Sequence, residues 1–314
     1  MTSIENPSML RSSFIQLKEP GVLGRYLREP EKYATEISDL ENKNASILES
    51  HLNSDLLKKL YSLNNPNTTV DTNPPALILI KNFPFTGVKD LEQAEQLLLG
   101  ISKLVNMNTF SYRDEHDGRL IDHIKPIRKH INSLTSLGSL RDLPMHVDSA
   151  FDTNRPNYMA LYCITSHSSA VTKFLSINKF FEFVPTNLRN EMLSIGFSNQ
   201  FLFSSPDSHT KVQHAQGSLF YNISNSQFGS RYSSSRNTGV TEEANKLLKN
   251  VKGFLESKYR SMIDGYILEP GDLVIWSNEA LLHGRSAFNS ENDDDRFLAR
   301  VYLAKNNLLP RVRK

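Results

Sequence analysis

The spacing of apolar residues changes along the chain, from a period near 3.6 in the first third to short runs and alternation in the rest. Residues 1–53 are polar and weakly periodic, with a helix expected over Asp39–Asn53. Ser54 is placed to cap a helix over Asp55–Leu63, where Leu56, Leu57, Leu60 and Leu63 form one apolar stripe. Asn64–Pro75 is rich in Asn, Thr and Pro and reads as a loop. Ala76–Ile80 is an unbroken apolar run, the pattern of a strand covered on both faces, and Lys81-Asn82-Phe83-Pro84 ends it. Helical spacing returns over Asp90–Leu104 through Leu91, Ala94, Leu97, Leu98, Ile101 and Leu104.

Beyond this point the runs shorten. Thr109–His130 carries Tyr112, Arg113, Asp114, Glu115, His116 and Asp117, and reads first as a solvated loop, second as the wall of a site. Strands are expected at Tyr158–Ile164, Val171–Ser176, Ser198–Phe203 and Ser218–Ile223, with a helix over Pro185–Leu193. Ser224–Thr238 is rich in Ser, Asn and Arg and has the length of a lid loop. Thr241 can cap a helix running to about Tyr259. Glu269-Pro270-Gly271-Asp272 makes a turn before a strand at Leu273–Trp276. Arg296–Leu303 alternates, with Arg296, Leu298, Arg300 and Tyr302 on one face. Many short strands, with helices early and in one late insert, predict an α+β, mainly β fold: a sandwich or barrel with helical flanks. The expected organisation is one domain over residues 1–314. Residues 1–75 form a helical or irregular extension, and 76–314 a β core with a lid near 224–238 and a helical insert near 241–259.

Composition narrows the function classes. The 314 residues are 39% hydrophobic and 22% charged, an ordinary globular mixture, and a net charge of +2 is too mild to favour nucleic acid or a membrane surface as partner. The single cysteine, Cys163, excludes an intramolecular disulfide framework and a cysteine-rich metal site; its apolar neighbours mark it as a core thiol. MTSIENPSML has no basic segment followed by an apolar one, and no apolar run approaches the roughly 18 residues of a membrane span. A soluble, cytoplasmic protein acting on a small molecule is the default expectation.

The candidate chemistry centres on Leu140–Phe151, LRDLPMHVDSAF. On one extended strand His146 and Asp148 would share a face, roughly 6–7 Å apart along the backbone, close enough to converge on one metal ion. A third ligand must come from elsewhere, and His283 in Leu281-Leu282-His283-Gly284-Arg285 is the well-placed candidate. Two histidines and one carboxylate, with open positions opposite, make the facial triad of non-haem Fe(II) oxygenases. Arg296 and Arg300 lie 13 and 17 residues after His283. If their face lines the barrel, two guanidinium groups enter a small cavity and call for carboxylate ligands. If it faces water, Asp293–Asp295 would pair with them, and spacing alone does not separate the two. His209 and His214 are poorly spaced for a metal and read as surface residues. Trp276, Tyr112 and Tyr158 read as core.

H-V-D-S-A-F, a threonine 26 residues after His146 (Thr172), P-G-D-L, H-G-R-S-A-F and two arginines four apart together resemble the Fe(II)/2-oxoglutarate-dependent dioxygenases. The chain is most similar to their clavaminate synthase-like branch of arginine, asparagine and lysine hydroxylases, over about Thr109 to Leu303. The resemblance implies a double-stranded β-helix (jelly-roll) core, Fe(II), 2-oxoglutarate as co-substrate, and O2. It implies that His146, Asp148 and His283 hold iron, that Arg296 with Thr172 binds the distal carboxylate of 2-oxoglutarate, and that Arg300 and Glu115 take the α-carboxylate and ammonium of an amino-acid substrate. Related halogenases have a small residue in place of the carboxylate ligand; Asp148 therefore implies hydroxylation, at C3 or C4. Ser218–Thr238 contains no Asp or Glu, so a strongly cationic substrate side chain would need acids such as Asp114, Asp117 or Asp207. Two rivals remain: a desaturase, cyclase or carrier- or peptide-bound-substrate oxygenase of the same family, and a catalytically silent jelly-roll binding module.

Overall fold

The computed structural model describes residues 2–4, 7–14, 17, 21–64, 74–113, 118–128, 140–205, 214–258, 262–305 and 312–313. Its frame is a large mixed sheet facing a smaller antiparallel one. In the large sheet the strands Leu77–Lys81, Leu273–Ser277, Tyr158–Thr165, Phe297–Ala304 and Asn108–Tyr112 lie side by side in that order, and Asp122–Ile124 also pairs with Phe297–Ala304. The smaller sheet runs Asp264–Ile267, Val171–Ser176, Leu281–Arg285, Leu143–His146. This is the jelly-roll arrangement expected of the core.

Alternation divides the large sheet between two environments. Ala160, Tyr162, Ile275, Ala299 and Val301 face a core shared with helices Ala34–His51 and Leu91–Leu104. Leu161, Cys163, Trp276, Leu298 and Tyr302 face inward, toward Phe174 and Leu281 of the smaller sheet. The outer face of that sheet is covered in turn by Ile177–Phe183, Thr186–Ser194 and Glu242–Lys258 through Leu175, Leu282, Phe180 and Leu247. The site lies between the sheets, toward the Asp148 end.

Several sequence expectations need correction. Residues 1–53 hold helices at Pro7–Ser13, Val22–Arg28 and Ala34–His51; burial of Leu23, Leu27, Ile37 and Leu48 in the core they share with helix Leu91–Leu104 outweighs weak periodicity. The cap of helix Ser54–Ser62 is Asn53, whose Oδ1 accepts from the Leu56 N–H at 2.9 Å, and Ser54 is already helical. Thr109–His130 is not simply a loop, because Asn108–Tyr112 and Asp122–Ile124 gain ladder partners on Phe297–Ala304. Likewise Ser224–Thr238 contains strand Gln227–Ser230, paired with Phe220–Ser224, and the start of Asn237–Gly239, paired with Phe201–Ser204. Polar composition hides such strands when pairing is long-range. The helix after Thr241 forms as expected, with the threonine Oγ1 accepting from the Ala244 N–H at 3.2 Å. His214 lies on an exposed strand against Ser204; His209 and Asp207 fall outside the described residues.

Candidate metal centre

His146 and His283 stand opposite each other on adjacent antiparallel strands, and their rings lie 4.3 Å apart between centroids. Asp148 is not on the same strand, contrary to the H-x-D expectation. Strand Leu143–His146 ends at the histidine, and Asp148 opens a turn in which Ser149 takes φ 53°. A left-handed serine beside the carboxylate is the kind of local strain that surrounding contacts must hold in place. Two contacts do so. Val147 N–H donates to the Tyr232 carbonyl at 2.9 Å, and buried Asn278 accepts from the Asp148 N–H at 2.8 Å while its amide donates to the Asp148 and Pro156 carbonyls at 3.0 and 3.1 Å.

The result is a compact donor set. Asp148 Oδ1 lies 3.1 Å from His146 Nε2 and 3.4 Å from His283 Nε2. Donors bound to one ion at about 2.1 Å stand about 3 Å apart across a right angle, so the spacing suits a facial triad. His146 Nδ1–H donates to the Pro144 carbonyl at 2.8 Å, which leaves Nε2 as the lone-pair nitrogen. Burial, helped by the neighbouring His146, pushes His283 down to about 4, so its ring is neutral. Burial works to raise Asp148, but the two facing imidazoles and the charge of Arg300 hold it well below the usual carboxylate range. After His283, Gly284 is required by space: a Cβ there would stand 2.6 Å from the Leu143 carbonyl oxygen.

Beside the triad is a cavity whose lining includes Thr172, Trp276, His283, Arg285, Arg296 and Arg300. The arginines therefore face inward. The loop acids bond elsewhere: Asp295 accepts from Glu291 and Asn292 N–H groups, and Asp294 meets Lys125. Arg300 is held by two carboxylates. Its Nε and Nη2 donate to Asp122 Oδ2 at 3.1 and 2.7 Å, and Nη1 donates to Asp148 Oδ2 at 2.9 Å. Arg296 differs. It is 6% exposed, has no ion-pair or hydrogen-bond partner among the described residues, and lies 5.7 Å from the Phe288 ring. Arg285 lies 4.8 Å from the same ring and donates to the Arg141 and Ser286 carbonyls. Burial, and repulsion by Arg285, push Arg296 down to about 9. The Thr172 hydroxyl is also buried without a partner among the described residues. An unpaired buried cation beside an unpaired hydroxyl is the environment a carboxylate ligand would complete. Glu115, with Asp114 and Asp117, lies outside the described residues. Sequence reasoning missed Asp122, Asn278 and Phe288. The phenylalanine was visible in H-G-R-S-A-F, whereas Asp122 and Asn278 carry no local pattern.

Residues 75–302 match the model of the taurine catabolism dioxygenase TauD, TfdA family, and the chain belongs to that family. Among curated proteins it is 24% identical over 198 residues to an L-lysine 3-hydroxylase of Catenulispora acidiphila, covering 62% of this chain and 54% of that protein. It is 21% identical over 219 residues to an L-ornithine/L-arginine 3-hydroxylase of the same organism, covering 63% and 64%. The chain thus spans less than two thirds of the curated relatives it matches. Among solved structures, the non-heme iron oxygenase OrfP in complex with Fe and alpha-ketoglutaric acid superposes with a TM-score of 0.70 at 17% identity, over 97% of this chain and 94% of that one. Asparagine oxygenase in complex with Fe(II), 2S,3S-3-hydroxyasparagine and succinate superposes with a TM-score of 0.70 at 16% identity, over 86% and 83%. Among the described residues no helix is long and apolar enough to cross a membrane.

Proposed function

We propose that the protein is an Fe(II)- and 2-oxoglutarate-dependent oxygenase that hydroxylates a free polar or basic L-amino acid. The site of oxidation is C3 or C4; C3 is the position in the names of both curated relatives. The observation that carries the reading is the His146, Asp148, His283 cluster, whose His283 lines a cavity with Arg296 and Thr172, both buried and unpartnered among the described residues. When bound, the metal and co-substrate supply oxidation by O2, with conversion of 2-oxoglutarate to succinate and CO2.

The chain's own residues position and balance charge. His146, Asp148 and His283 would hold the iron. Arg296 neutralises the distal carboxylate of the co-substrate, and the Thr172 hydroxyl donates to it. Arg300 receives the substrate α-carboxylate, for which it must exchange one of the two carboxylates it now holds, Asp122 or Asp148. Glu115 receives the α-ammonium. Asp148 supplies the carboxylate ligand, which favours hydroxylation over halogen transfer.

His146→Ala should abolish amino-acid-stimulated succinate formation, and turnover equal to the native chain's would refute the iron assignment. With lysine, ornithine, arginine or asparagine offered in turn, product mass decides the outcome: a gain of one oxygen is expected, whereas loss of two hydrogens would make the enzyme a desaturase.

A further inference from the structure

We propose that Trp276 is a third ligand of the co-substrate, its indole N–H donating to the distal carboxylate that Arg296 and Thr172 hold. The inference rests on the oxygenase reading for the identity of the anion, but its observation is separate. Trp276 belongs to strand Leu273–Ser277, where Leu273 and Ile275 face the helices while Val274 and Trp276 face inward. Its ring is fixed between Phe174, 5.4 Å away at 62°, and His283, 5.2 Å away at 57°. The side chain is 2% exposed, lines the cavity that Arg296 and Thr172 line, and its Nε1 has no acceptor among the described residues.

Buried indole N–H groups find partners. Among the lining side chains Arg285, Arg296 and Arg300 only donate, and Thr172 Oγ1 and His283 Nδ1, which could accept, are themselves without partners among the described residues and do not take the indole N–H. A carboxylate entering beside Arg296 gives the indole the acceptor it lacks. A guanidinium, a hydroxyl and an indole N–H together would favour a 2-oxo diacid over a 2-oxo monoacid, because a monoacid leaves all three unsatisfied.

The experiment uses the full chain loaded with Zn(II), so that binding is read without turnover. Calorimetric titration should show 2-oxoglutarate bound about tenfold more weakly by Trp276→Phe than by the native chain, with zinc affinity unchanged within about twofold, the scale of one lost hydrogen bond. Trp276 is the chain's single tryptophan, so native emission reports this one indole. It should move to longer wavelength with 2-oxoglutarate and stay in place with 2-oxobutyrate, which lacks the distal carboxylate. Equal 2-oxoglutarate affinity in the two proteins overturns the proposal. So does weakened zinc binding, which would mean that the indole acts through His283. If the variant does not fold, emission decides: no movement, or the same movement with both acids, overturns the proposal. A native chain that binds neither acid removes the oxygenase reading as well, whereas binding that is indifferent to Trp276 removes this inference alone.

Discussion

Arg300 and Arg296 stand four residues apart and line the same cavity, yet their surroundings are opposites. Around Arg300 the protein balances its own charge: Asp122 takes two donors, and Asp148 takes a third. Around Arg296 it does not, and an aromatic ring and a second arginine are its neighbours. A buried ion set of the first kind is part of the folded framework, and removing one member strands the others. A buried cation of the second kind costs stability on its own and is retained for something that arrives from outside. The difference separates a cation that the fold neutralises itself from one that it leaves without a counter-charge.

That contrast can be broken most decisively at Arg300. Arg300→Met should cost the metal-free protein about 3–5 kcal/mol, because it removes the cation between two buried carboxylates; urea unfolding measures it, and an unaltered midpoint would erase the distinction. Arg296→Met should do the reverse. Metal-free stability should hold or rise, while 2-oxoglutarate affinity falls about 100-fold, or about 2.7 kcal/mol by calorimetry. Comparable loss of stability in both variants would show that the two arginines are equivalent. Gly284→Ala tests the scaffold beneath both: a Cβ 2.6 Å from the Leu143 carbonyl must push the His283 strand from its neighbour, for about 1–3 kcal/mol of stability with weaker metal binding. Thr172→Val gives the finest test. Its hydroxyl has no protein partner, so stability should be unchanged while 2-oxoglutarate binds several-fold more weakly, about 1 kcal/mol.

The site was more legible in the sequence than its supports. His146 and Asp148 are two residues apart, and a tripeptide announces their convergence even though the backbone turns after His146 instead of continuing as a strand. The inward face of Arg296 and Arg300 follows from alternation, although burial had to decide between cavity and surface. Asp122 and Asn278 were silent because each acts across a long stretch of chain: Asn278 holds the backbone of a residue 130 positions earlier, and Asp122 pairs with one 178 later. The polar strands Asn108–Tyr112 and Gln227–Ser230 were missed for a related reason, since their pairing, not their composition, makes them strands. The early helices lacked strong periodicity, and only their packing with helix Leu91–Leu104, which lies on the sheet, explains them.

Strands Val171–Ser176 and Asp264–Ile267 are antiparallel neighbours, with Ile267 opposite Val171 and Asp264 opposite Phe174. The described residues between Ile177 and Ile263 therefore leave these two strands and return to them at one seam. That excursion supplies Tyr232 and Arg231, whose contacts reach the turn around Asp148, but it contributes none of the three iron-ligand candidates. A cassette exchanged between these two cut points must therefore still present a carbonyl to Val147 and a donor to Ala150 if the Asp148 turn is to keep its place.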